Sequence, residues 1–376
     1  MPQFFAATAT GLSDALETEL KELGFEHTTK IASGVFFETN WEGCYKANLH
    51  SRLASRITKP VLDFPAYNGD ELYHNIRKHD FTKYINPNQT LKIEASISDS
   101  AIKDQRFLAM KTKDAIVDQF RDKYGVRPDV DNFNPDLRVM VKVVRNEFHV
   151  AIDTSGESLF MRGYRKEAGP APLKENLAAG LLYLTGWDRK SPIVDPTCGS
   201  GTFVIEAAMM ALNMAPGAMR SRFGFEKLLG FQREAWEKVV QEAMDQELQE
   251  LPFKFYASDI DRKVLKAAKE NAARAGVDHV IDFHFESIAT LRPPEEVQKG
   301  ILISNPPYGA RMGEEDLLKD VYRDMGHTLK HNFKGWDAWI LSGNKELIMD
   351  LKLKSTRRHF VYNGPLECRF LKYSMF

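Results

Sequence analysis

The 376-residue sequence predicts an α/β protein: a Rossmann-like seven-stranded sheet in the C-terminal part, preceded by a smaller α+β region. After Gly156 strand and helix patterns alternate to the end of the chain, which implies a mostly parallel sheet covered on both faces. The last two strand candidates lie too close for a helical crossover, so they form an antiparallel hairpin at the sheet edge. Before Gly156 the elements are short and mixed. A chain of this length exceeds one ordinary core, so two or three domains are expected.

In order, the first 60 residues contain an extended start, a helix at Leu12–Leu23, a strand at Ile31–Glu38 ended by Asn40, and a helix from Trp41 to about Ala54. A strand at Leu91–Ile97 follows. The next helix spans Gln105–Tyr124, where Leu108, Ile116, Val117, Phe120 and Tyr124 recur at helical spacing. "LRVMVKVV" and "FHVAID" alternate about Arg145-Asn146-Glu147 and read as paired antiparallel strands. The C-terminal strands are Ile193–Asp195, Phe253–Ser258, Ile281–Phe285, Ile301–Ser304, Ala338–Ser342, His359–Asn363 and Arg369–Tyr373. Arg262–Ala275, set between an Asp and Gly276, is a clear helix among them.

Composition excludes several classes. Hydrophobic residues at 43% and charged residues at 27% are globular values, and no run of 18 apolar residues suggests a membrane span. The N-terminus lacks a basic n-region, and Cys44, Cys198 and Cys368 form no CxxC pair, so a reducing, cytoplasmic setting without metal is expected. Net charge is −1, with 22 basic against 23 acidic residues in 1–165 and 29 against 29 thereafter. Any nucleic-acid binding must therefore rest on local patches and shape.

Two motifs carry chemistry. "VDPTCGSGTFVIEAA" runs from strand through glycine-rich turn to helix, and glycines let a backbone approach a ligand closely. A dinucleotide fingerprint would add a third glycine and an acid about 20 residues on. Phe203 and Val204 follow instead, and the next acid ending a strand is Asp259, beyond the insert Asn213–Leu251. Asp259 suits two ribose hydroxyls, while Asp195 suits an ammonium group; as turn residue and helix cap they would be merely structural. The second motif is "SNPPYG", Ser304–Gly309. Its two prolines end the strand in a stiff turn, and an Asn carbonyl beside an aromatic ring can hold a flat molecule bearing an amino group.

These motifs, in this order on this sheet, resemble the class I methyltransferases that use S-adenosylmethionine, and more closely those that methylate exocyclic nitrogens of nucleobases. The resemblance implies that Asn305 and the Pro306 carbonyl accept hydrogen bonds from the target amine, with Pro307 stiffening the turn and Tyr308 stacking on the base. It implies cofactor contacts from Asp195, Pro196, Thr197, Cys198, Gly199, Ser200, Gly201 and Thr202, from Asp259, Ile260 and Asp261, from Glu286 or Ser287, and from Asn305. Lys174, Glu175, Asn176 and Leu177 would border the cofactor, with Pro172 in the first turn of their helix.

The N-terminal half resembles a ferredoxin-like unit followed by a THUMP RNA-binding module. "SRLASRI", "RGYR" and "APLKENLAA" are similar to the large-subunit ribosomal RNA guanine-N2 methyltransferases, covering the guanine-N2 portion of the longer fused form. The implied division is 1–60 ferredoxin-like, 61–160 THUMP and 161–376 methyltransferase. RNA contacts are expected from Arg52, Arg56, Lys103, Arg106, Lys111, Lys113, Arg162, Tyr164 and Arg165, with Lys166 beside them. The substrate implied is 23S ribosomal RNA, its target base flipped or single-stranded. Alternatives are a transfer RNA guanine-N2 or DNA adenine-N6 methyltransferase, a non-catalytic RNA-binding assembly factor, and, lacking its fingerprint, an NAD oxidoreductase.

Overall fold

A computed structural model describes residues 1–166, 173–295, 297–308 and 315–376, residue 315 by its backbone only. Pro172 and Gly309 lie outside the described residues. Two sheets organise the chain. The first uses β1 (Gln3–Ala7), β2 (Thr28–Ile31), β3 (Gly34–Glu38), β4 (Arg56–Pro65), β5 (Thr90–Ser98), β6 (Asp129–Val130), β7 (Leu137–Val144) and β8 (Glu147–Asp153), in the order β2-β3-β1-β4-β8-β7-β5-β6. Its helices are α1 (Ser13–Glu22), α2 (Trp41–His50), α3 (Gly69–Ile76) and α4 (Gln105–Tyr124).

Local chemistry explains most boundaries. Asp104 caps α4 by accepting from the Arg106 and Phe107 amides, and Gly125 ends it at φ +76°. Arg145 and Asn146, both at positive φ, form the two-residue turn between β7 and β8. Other boundaries differ from expectation. The single strand at Ile31–Glu38 is a hairpin, β2–β3; most of β2 is exposed, so it lacks the alternation of a buried strand. The second helix stops at His50 because the Glu19 carboxylate captures the Ser51 hydroxyl and the Arg52 and Leu53 amides at 2.7–3.3 Å. β4 escaped the sequence reading because Pro60 interrupts it; the pairing with β8 shifts register between Pro60 and Leu62. β4 spans residues 60 and 61 and pairs with both β1 and β8, so the two N-terminal units share one sheet.

The second sheet uses β9 (Ile193–Asp195), β10 (Phe255–Asp259), β11 (Ile281–Phe285), β12 (Ile301–Ser304), β13 (Asp337–Ser342), β14 (Arg357–Asn363) and β15 (Leu366–Ser374). Its order is β11-β10-β9-β12-β13-β15-β14, with β9 to β13 parallel and the final hairpin antiparallel. This is the seven-stranded sheet expected. Helices α5 (Glu175–Thr185), α6 (Thr202–Ala211), α8 (Arg262–Ala275), α9 (Glu315–Asn332) and α10 (Lys345–Asp350) accompany it, while α7 (Arg233–Asp245) lies in the insert after α6. No described helix is long and apolar enough to cross a membrane.

The insert after α6 belongs to the other core. Phe223, Phe225, Val239 and Ala243 pack with Tyr45 and the N-terminal apolar residues, with Tyr45 and Phe225 ring centroids 4.5 Å apart. A polar network crosses the same seam. Arg162 donates to the carbonyls of Leu159 at 2.7 Å and Arg52 at 2.6 Å and pairs with Glu206 of α6 at 3.3 Å. The Tyr164 hydroxyl donates to Glu206 at 3.3 Å, and the Arg52 guanidinium donates to the Met214 carbonyl at 2.6 Å. Arg52, Arg162 and Tyr164 are 7%, 1% and 1% exposed, which corrects their assignment as RNA contacts: they hold the protein together.

Replacing Arg162 by Met strands a buried carboxylate and should cost about 3–5 kcal/mol of unfolding free energy. Adding Glu206→Leu should recover much of it; both are read from denaturant midpoints.

Candidate functional site

The carboxyl ends of β9, β10, β11 and β12 share one edge of the sheet, and the strand order reverses between β9 and β12. In open α/β sheets a ligand crevice forms at such a reversal. Asp195 ends β9 there, 1% exposed, its carboxylate accepting from the Thr197 amide at 3.3 Å. Burial pushes its carboxyl well above the usual carboxylate range, and the charge of Asp259 adds to the shift.

The turn from Pro196 to Thr202 is tied on three sides. The Asp259 carboxylate accepts from the Gly199 amide at 3.0 Å and from the Asp261 amide at 2.9 Å. Cys198 donates its amide to the Ser258 carbonyl at 3.0 Å, and its buried thiol is pushed well above its usual pKa. Asn271 of α8 donates to the Ser200 carbonyl at 3.0 Å. Gly201 sits at φ +84°, and a Cβ there would meet the Ala268 side chain at 3.2 Å. Only glycine suits that position, because the turn presses against α8. Thr202 then opens α6, and no side chain caps its first amides.

Asp259 does not cap α8. Asp261 does, accepting from the Lys263 and Val264 amides at 2.8 and 3.4 Å through one oxygen of an exposed carboxylate. Ile260 is 64% exposed beside it. Glu286 extends the β11 ladder by donating its amide to the Asp259 carbonyl at 3.3 Å, whereas Ser287 opens a turn closed by Thr290. Phe285, which pairs in register with Asp259, was missed. It is 53% exposed, with the Arg262 guanidinium 4.2 Å above its ring; its signal was an apolar residue at the end of the third strand.

At the end of β12 the Ser304 hydroxyl meets that of Thr197 at 2.7 Å, which joins the two motifs. Next to it, the Asn305 side-chain carbonyl is buried and has no hydrogen-bonding partner among the described residues. Pro306 is buried, Pro307 exposed and Tyr308 half-buried. The Tyr308 hydroxyl accepts from Asn363, the last residue of β14 beside the turn of the C-terminal hairpin, at 3.2 Å, and burial pushes its pKa up to about 12. Asn363 is therefore a support that the linear sequence did not reveal.

The helix α5 packs into the core beside this edge. Leu177 is 2% exposed in the apolar core and Asn176 donates to the Leu53 carbonyl at 3.4 Å, so both face the interior. Glu175 lies 3.5 Å from Arg165, and burial raises its pKa; Lys174 remains exposed. Arg165 donates to Thr202 at 2.6 Å and to the Leu173 carbonyl at 3.0 Å, which commits it to the glycine-rich turn rather than to RNA. Arg56 is likewise spent, on Asp153 and on the Gly156 carbonyl at 2.7 Å. Lys103 and Arg106 are exposed on and before α4; Lys111 and Lys113 pair there with Asp70 and Asp114.

Comparison with known proteins agrees with this architecture. Residues 162–372 match the RMKL-like methyltransferase domain, residues 66–153 the THUMP domain, and residues 3–58 the RlmL ferredoxin-like domain. The chain is 39% identical over 99% of its length to "Putative RNA methyltransferase slr0064" of Synechocystis sp., 97% of which is covered. It is 40% identical over 100% of its length to ribosomal RNA large subunit methyltransferase K/L of Shewanella amazonensis, but spans only 53% of that protein. Among solved structures, "SMU.472, a putative methyltransferase complexed with SAH" superposes with a TM-score of 0.91 at 30% identity, covering 100% of this chain and 98% of that one. With its glycine-rich turn, strand-end acids and SNPP turn all on the matched sheet, the chain belongs to the RMKL-like methyltransferase family and carries ferredoxin-like and THUMP domains ahead of that domain.

Proposed function

We propose that the protein transfers a methyl group from S-adenosylmethionine to the exocyclic N2 amine of a guanine in 23S ribosomal RNA. The observation that carries this is the buried carbonyl of Asn305 at the end of β12, which has no hydrogen-bonding partner among the described residues. A buried acceptor without a donor is costly, and an amine entering the crevice would relieve that cost while being oriented by it. The large-subunit RNA relatives support ribosomal RNA, although the chain spans about half of their length. The THUMP match supports an RNA over a DNA substrate. The choice of guanine N2 rests on the likeness of "RGYR", "APLKENLAA" and "SNPPYG" to that family, and a cytoplasmic setting follows from such a substrate.

The residues fit the cofactor chemically. Asp195 offers a buried carboxylate to an ammonium group, Asp259 and the backbone of Gly199–Gly201 would hold a ribose, and Phe285 with Ile260 would give an apolar edge for a flat ring. When bound, the cofactor supplies an electrophilic methyl on a sulfonium. Asn305 and the Pro306 carbonyl would accept hydrogen bonds from the amine and orient its nitrogen, while Tyr308, pinned by Asn363, would wall the base. As the N–C bond forms and the S–C bond breaks to leave a neutral thioether, these carbonyls would stabilise the positive charge on nitrogen, and the surplus proton would pass to solvent.

Incubation with labelled S-adenosylmethionine and unmodified ribosomal RNA, transfer RNA or DNA, followed by nucleoside identification, tests the reading. N2-methylguanosine in ribosomal RNA is expected; N6-methyladenosine in DNA would refute it. Asn305→Ala should lower turnover by about 100-fold or more with cofactor affinity nearly unchanged. Because the folded pKa of Asp195 lies above its unfolded value, its ionisation weakens the unliganded fold above the folded pKa, and that cost disappears below the unfolded pKa. Asp195→Asn should accordingly raise the melting midpoint at neutral pH while weakening S-adenosylhomocysteine binding in calorimetry. In the unsubstituted protein that binding should strengthen as pH rises through the Asp195 pKa.

A further inference from the structure

A cleft of about 970 Å³ opens where the THUMP loop at Phe133–Asp136, the connector at Gly156–Arg165 and the insert at Met219–Lys227 meet. It extends to Asn363 and Pro365 at the C-terminal hairpin turn, and Asn363 is the residue that holds the Tyr308 hydroxyl. The cleft therefore links the RNA module to the clamp for the base. Its volume is at the top of the roughly 300–1,000 Å³ range of small-molecule sites, more than a single base requires.

Most charges along it are already committed. Lys227 pairs with Asp136, Arg165 with Glu175, and Arg138 with Glu94 and Asp153. Arg220 donates to four main-chain carbonyls of the connector. Two cations remain. Arg222, half-buried on the insert, makes no ion pair among the described residues, and Lys174 is exposed with its ammonium 4.8 Å above the Phe160 ring. At the rim, Phe133 is 89% exposed. Its backbone is nevertheless set: the Asp131 carboxylate accepts from the Phe133 and Asn134 amides at 2.8 and 3.1 Å. A large ring displayed on a fixed turn, in a cleft that also presents Arg222, whose charge reaches Asp131 without an ion pair among the described residues, and the exposed Lys174, matches what an unpaired, stacked strand requires.

We propose that this cleft holds the single-stranded RNA beside the target nucleotide, Phe133 stacking on an unpaired base while Arg222 and Lys174 face backbone phosphates. The proposal rests on the reading of the chain as an RNA base methyltransferase. The test is fluorescence anisotropy of the full chain with a fluorescein-labelled single-stranded RNA dodecamer of mixed sequence and with the same strand in a duplex, followed by methyl transfer to ribosomal RNA. The protein should prefer the single strand, and Phe133→Ala should weaken that binding about tenfold. Arg222→Gln should reduce the slope of log affinity against log salt by about 0.7. Both variants should raise KM for RNA with kcat nearly unchanged. Equal binding by wild type and both variants, a preference for the duplex, or no binding of the dodecamer would overturn the cleft. Phe133-dependent binding without methyl transfer would uphold the cleft and count against the catalytic reading instead.

Discussion

The buried pair between Arg162 and Glu206 is the constraint on which the arrangement of the two sheets depends. Arg162 reaches back to carbonyls of the N-terminal unit, and Glu206 sits on the helix that leaves the glycine-rich turn. Two desolvated charges are tolerable only when both remain satisfied, and here Tyr164 adds a further donor. The pair therefore specifies one docking geometry between the RNA-binding and methyltransferase parts. Arg165 continues the link, bonding Thr202 at the first residue of the same helix.

At the other end of that helix the chain enters the insert, which leaves the methyltransferase sheet and buries its aromatic residues against α2. Apolar burial on this scale, several side chains at about 1.5–3 kcal/mol each, makes the seam a shared core more than a loose contact. The proposed RNA cleft lies along that seam, so a rigid seam would hold its walls at a fixed spacing.

The crevice concentrates what folding disfavours. A buried acid at the end of β9, the amide-bonded acid Asp259 at the end of the neighbouring β10, and an amide carbonyl at the end of β12 that has no partner among the described residues all occupy one edge of the sheet. The buried Asp195 and the Asn305 carbonyl cost the unliganded fold stability, and each has the polarity to be repaid by a cationic or amine-bearing ligand. The hydroxyl contact between Thr197 and Ser304 keeps the cofactor-side and base-side motifs in one register.

The seven-stranded sheet, the glycine-rich turn and the SNPP turn were legible from local pattern, because strand–helix alternation, glycine and proline act within a few residues of themselves. Asp195, Asp259 and Asn305 could be placed at strand ends for the same reason. The basic residues could not be sorted that way. Arg52, Arg162 and Arg165 look like surface cations in the sequence, yet a carbonyl, a carboxylate and a hydroxyl more than 30 positions away draw them inside. Likewise β4 and the early end of α2 were set by Pro60 and by the distant Glu19 carboxylate. Asn363, Phe285 and the cleft at Phe133 emerged from packing between segments far apart in the chain. A linear pattern records backbone preference and periodicity; which charge is paired, and which ring is left facing water, depends on partners that only folding brings together.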